Sequence, residues 1–186
     1  MLVEFGFVRV TTGDGRVFTF TPSLGRIASL GAPHEIVSLY CSLHGPHAEK
    51  EAAYVLACLC DQEDPTEAVG WHNEDGHHPG LIPPDEQVIL ARHLMTHGIV
   101  GKAKPESGKG DGQFSDKFEA SVYIAAARVH LGLSSADAEA LSMTEFQQML
   151  EMKYPQAKEG QQGARDVPTR EEYQAALKAI EERERE

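Results

Sequence analysis

A mainly α-helical fold, opening on a β-hairpin and continuing as a multi-helix bundle with long irregular connections, is what the sequence predicts. Three observations carry that expectation: a period-two stretch behind a Gly-Asp-Gly turn near the N-terminus, apolar residues at helical spacing from Leu24 onward, and two serine-led helix starts between Ser134 and Glu145.

Leu2 to Thr11 mixes Val and Phe with small or polar residues, and Arg16 to Thr21 (RVFTFT) alternates, with Thr12-Gly13-Asp14-Gly15 between them. Asp-Gly suits the positive φ angles of tight hairpin turns, which predicts a hairpin over residues 2–21. A lone hairpin is only marginally stable in water. Phe5, Phe7, Phe18 and Phe20 must therefore be covered, by helices of the same chain or by another protein, and they are candidate partner-binding residues.

From Pro22 the spacing lengthens to about 3.6 residues. Thr21 is the expected cap of a short helix that carries Leu24 and Ile27 and stops before Gly31. Glu35 to His44 places Ile36, Leu39, Tyr40 and Leu43 at helical spacing, and Gly45-Pro46 breaks it. His47 to Cys60 resumes with Ala48, Ala52, Val55, Leu56 and Leu59, so an antiparallel helix pair is expected. Residues 61–84, rich in Pro, Gly and acids and without a period, read as a long irregular connection carrying Trp71; such loops are uncommon unless they bind something or are disordered. Asp85 is the expected cap of a helix reaching about Gly98, with Val88, Ala91, Leu94 and Met95 inward.

Residues 101–116 have the composition of a flexible linker. Ser115 then opens a helix to Leu131 with Phe118, Val122, Ala125, Ala126 and Val129 on one side and Gly132 as terminator. Ser134-x-x-Asp137 and Ser142-x-x-Glu145 resemble capping boxes and predict helices over 135–141 and 143–153. After Pro155 the chain is polar to Val167. A last helix from Pro168-Thr169 carries Tyr173, Leu177 and Ile180 on a narrow apolar stripe before a charged end. The expected organisation is thus a hairpin plus helical region (1–100), a linker (101–116), a helical region (117–155), and a polar linker with a charged C-terminal helix (156–186).

The formal net charge of −12 argues against a nucleic-acid partner, because affinity for phosphates comes from clustered Lys and Arg and none cluster here. Residues 61–100 alone hold eight acids against one base, Arg92, a net of −7. That segment reads as a solvated acidic face or as a steering patch for a basic partner. Three cysteines without an N-terminal signal pattern point to a cytoplasmic protein, and no apolar run approaches the ~20 residues needed to span a bilayer.

The histidines and cysteines raise the question of zinc. Cys41 and His44 lie three apart on one expected helix, with Cys58 on the paired one, so a mixed Cys/His site is conceivable. Cys58 and Cys60 point about 200° apart on a helix and cannot grip one ion together. His93-x-x-x-His97 has the one-turn spacing of zinc hydrolases, yet Leu94 stands where their general base would be. The sequence has no Gly-x-Ser-x-Gly elbow and no Walker loop. Gly108-Lys109-Gly110-Asp111-Gly112 lacks a preceding strand and reads as linker. No catalytic residue, metal or cofactor is assigned, and a binding protein without enzymatic activity is expected.

The segment Leu131 to Leu150 resembles the closing helices of tailed-bacteriophage tail assembly chaperones, with Gly132, Leu133, Ser134, Leu141, Thr144, Glu145, Phe146 and Leu150 as the matching residues. The resemblance implies a protein of the host cytoplasm that coats the tape measure protein and recruits tail tube subunits during virion morphogenesis. The hairpin and the helices from Phe118 to Leu150 would be its protein-binding surfaces, with Phe118, Val122, Phe146, Met149, Leu150, Tyr173 and Leu177 added to the four hairpin phenylalanines, and with self-association possible. A structural part of the tail or head–tail connector, or a zinc-binding protein using the Cys/His residues, are the alternatives.

Overall fold

The computed structural model describes residues 3–46, 48–73, 76–102 and 116–155, with side chains left aside at Val3 and at 72–77. The fold is mainly α with an N-terminal antiparallel strand pair. The linker interior, Ser115 and the final helix with Tyr173, Leu177 and Ile180 lie outside the described residues.

The hairpin is shorter than expected. Val3–Phe5 forms a 3-10 turn, and the strands are β1 (Val8–Thr11) and β2 (Val17–Phe20), pairing Val8 with Phe20 and Thr11 with Val17. Of the turn residues only Gly15 takes a positive φ, 85°. Asp14 contributes through its side chain instead. Its carboxylate accepts hydrogen bonds from the Thr12 hydroxyl and from Arg16, which hold its pKa down to about 2.

Phe18 and Phe20 share one face of β2, and the chain covers that face itself. Thr21 N donates to Leu59 O (2.9 Å) and Asp61 N to Thr19 O (2.8 Å), so β2 is joined to the chain leaving the helix α3 (Ala48–Leu59). The Arg26 guanidinium bonds the Cys60 carbonyl and pairs with Asp61 at 3.4 Å, tying in α1 (Leu24–Ala28) as well. Ser23, not Thr21, caps α1, because its hydroxyl accepts from Arg26 N.

Helix α2 (Pro33–Ser42) begins on a proline at its first position, where the missing N–H is not needed, and Glu35 reaches back to Ala32 N. The next long helix, α5 (Pro84–Met95), packs on α3 and buries Val88, Ala91, Leu94 and Met95 as the spacing predicts. Its cap position is Pro83; Asp85 and Glu86 stand in the first turn, where carboxylates suit the helix dipole. Thr96–Val100 continues α5 as a π-helical turn.

Residues 61–84 are not an irregular connection. They contain a helical turn, α4 (Thr66–Val69), and a second hairpin of β3 (Gly70–Asn73) and β4 (Gly76–Pro79). Trp71 stacks on His78 at 3.9 Å and 9°. Buried Gln87 donates from its side-chain amide to Val69 O (3.0 Å) and Ile82 O (2.8 Å), and so fastens this segment to α5.

The C-terminal helices are α6 (Ala120–Ala126), continued by a π-helical turn over Ala127–Leu131, then α7 (Ser135–Ala140) and α8 (Met143–Lys153). Both serine caps form: Ser134 Oγ accepts from Asp137 N, and Ser142 completes a reciprocal box with Glu145 at 3.2 and 3.0 Å. Ser142→Ala removes one bond of a fully buried cap and is expected to cost about 1 kcal/mol, read as a lower denaturant midpoint with an unchanged slope. The inward face of α6 differs from the expected one. Ala120 and Ala127 are buried and Tyr123, Ile124 and Leu131 packed against the core, while Val122 and Val129 face outward.

Candidate functional site

The N-terminal turn and α8 meet along a seam, and two of the expected binding residues, Phe5 and Met149, lie beside it. Phe5, Glu145, Gln148, Met149 and Met152 line an open cleft of about 190 Å³. Helical spacing sets three of these walls, since Glu145, Met149 and Met152 recur at four and three residues on one face of α8. Met152 is 77% exposed and Met149 37%, whereas Leu150 is half-buried against the core. Lys102 Nζ stands 6.0 Å from the Phe5 ring centroid, near the same end of the seam. Unbranched, polarisable methionines beside an aromatic ring form an adaptable apolar surface.

Four of the expected binding residues are core instead. Phe18, Phe20, Phe118 and Phe146 are each 5% exposed or less, because the hairpin closes on α3 and the Phe118, Tyr123 and Phe146 rings pack together. Phe5 and Phe7 are half-buried. Val122 is 54% exposed and Val129 78%, so α6 and its π-helical turn present a second apolar face.

The structure does not assemble the cysteine and histidine candidates into a metal centre. Cys41 is exposed on α2, and the nearby His44 places Nδ1 3.1 Å from Tyr40 O with its ring edge-on to Tyr40. Cys58 is half-buried on α3, and Cys60 is buried, which raises its thiol pKa. Among the described residues no three His, Cys, Asp or Glu side chains converge as a metal-holding group.

His93 and His97 are brought together, with ring centroids 4.6 Å apart and planes tilted 55°. His97 Nδ1 lies 2.8 Å from the Thr144 hydroxyl of α8. His93 Nε2 is buried and makes no hydrogen bond. Burial lowers the pKa of both rings, and His93 and Lys102 add to the effect on His97. Sequence reasoning found this pair by its one-turn spacing but not its place in the seam, which depends on a contact with Thr144 47 residues away.

Residues 45–175 match a family model described as a family of unknown function, DUF6246. The chain belongs to that family. Its α3 to α8 fall inside the matched span, and β1, β2, α1 and α2 precede it. No curated protein and no solved structure matches the chain. Among the described residues no helix of this DUF6246 protein is long and apolar enough to cross a membrane.

Proposed function

We propose that this DUF6246 protein is a non-enzymatic tail assembly chaperone of a tailed bacteriophage, acting in the host cytoplasm and binding the tape measure and tail tube proteins. One observation carries the reading: α8, the last helix of the segment resembling such chaperones, leaves Met149 and Met152 open beside Phe5 in an apolar cleft instead of burying them. Exposed apolar side chains gathered in a cleft suit an apolar helix face of a partner. Glu145 at the rim and the net charge of −12 favour a partner segment that is basic around its apolar stripe.

Co-expression of the chain with the tape measure and tail tube proteins of the same virus tests this. Wild-type protein is expected to co-purify with one or both. Met152→Asp should abolish co-purification while changing stability by no more than about 0.5 kcal/mol, the usual range for an exposed position. Absence of any complex, together with one copy of the chain per structural ring in finished virions, would instead make it a component of the tail or connector.

A further inference from the structure

We propose that His93 and His97 form a proton-sensitive clasp that holds the N-terminal turn and α8 against the π-helical turn Thr96–Val100, and that protonation of either ring opens this seam. The inference is independent of the chaperone reading.

The geometry puts the pair where three parts of the fold meet. His97 lies on the π-helical turn and engages Thr144 of α8. Gly6 sits so close to His97 that a Cβ there would overlap the His97 Cβ and its ring Cγ, which packs the N-terminal segment on the base of the same side chain. Gln147 extends the seam, accepting from Lys102 N (2.8 Å) and donating to Val100 O (3.0 Å). His93, one turn back on α5, lies against His97 with its Nε2 shut away from solvent and unbonded.

The charged groups on the surrounding elements offer an imidazolium no compensation. Lys102 is the cation that acts on His97, His93 also opposes a charge there, and burial alone disfavours one on His93. On α8 the Glu145 carboxylate is engaged by Ser142 N. Arg92 of α5 donates to Leu43 O, and Arg26 of α1 is engaged with the Cys60 carbonyl and Asp61. Glu4 of the N-terminal turn is exposed. The closed seam therefore disfavours the protonated form of both rings, and opening it favours proton uptake. Because their folded pKa values are depressed, the seam's stability is fully present above the ordinary histidine value of about 6.5 and is lost as pH falls below it.

Two measurements on the full chain test the clasp. Imidazole proton resonances of wild-type protein are expected to titrate with midpoints below 6.5 for two histidines, and amide protection factors, taken against the intrinsic exchange rate at each pH, should fall at least tenfold more between pH 7.5 and 5.5 in Met143–Lys153 than in Ala48–Leu59. In His93→Phe, which keeps a flat ring without a titrating nitrogen, that extra loss of protection should shrink by more than half. Midpoints at or above 6.5 for every histidine, or equal loss of protection in α8 and α3 of the wild type, would overturn the proposal. So would an unchanged loss of protection in the variant. Should His93→Phe fail to fold, the wild-type titration and exchange decide the matter by themselves.

Discussion

Phe20→Ala is expected to lower the unfolding free energy by about 3–5 kcal/mol, the usual cost of deleting a buried aromatic ring. Phe20 is 0% exposed, and its strand is hydrogen-bonded both to β1 and to the chain leaving α3. The loss would be a large fraction of the roughly 5–15 kcal/mol that stabilises an ordinary domain. Urea denaturation followed by circular dichroism reads it directly. The same experiment separates core from surface: a loss below about 1 kcal/mol together with lost partner binding would return Phe20 to the docking face.

Gly80→Ala should be about as damaging, at roughly 3 kcal/mol or more, because overpacking against backbone cannot be relieved by moving a side chain. A Cβ on Gly80 would overlap Gly70 N and the Ala68 carbonyl. Gly70, which pairs with Pro79, holds φ 82° and ψ −177°, a conformation open almost only to glycine. The two glycines let β4 leave the second hairpin directly against α4. Gly13→Ala serves as the control, since a Cβ there meets nothing within 4 Å and its φ is not positive. Its midpoint should stay within about 0.5 kcal/mol of wild type; similar losses at both positions would mean that the close approach at Gly80 is not the cause.

What could be read in advance from the sequence was whatever local chemistry decides. The Ser142 and Glu145 box needs only residues three apart, and its helix begins where the spacing places it. The β2 alternation needs only neighbours in sequence, and Phe18 and Phe20 share a face accordingly. The second hairpin was hidden because glycines in close approach, the Trp71–His78 stack and the Gln87 amide hold it, and none of these produces a period-two pattern. On α6 the bulk of Val122 and Val129 suggested an inward stripe, but small Ala120 and Ala127 are what allow close packing. The switch from α to π geometry after Ala126 also changes the rotation per residue, so spacing alone could not fix the face of Val129. At the cleft, Met149 is among the residues the chaperone resemblance implies, whereas Met152 lies just beyond the resembling segment and its place beside Phe5 depends on where the N-terminal turn comes to rest.

The antiparallel bridge between Ser23 and Ser142, with Leu24 N donating to Leu141 O at 2.8 Å, has a consequence for the order of assembly. About 120 positions separate the partners, so at synthesis rates of roughly 5–20 residues per second the first waits some 6–24 s for the second to be made. The hairpin can reach the end of α3 well before that, since those contacts span only about 40 positions. Leu24 and Ile27, wholly buried in the folded molecule, remain without this cover until about 120 further residues have been made. Closing this long loop is the late, entropically costly step that joins the two ends of the fold into one core.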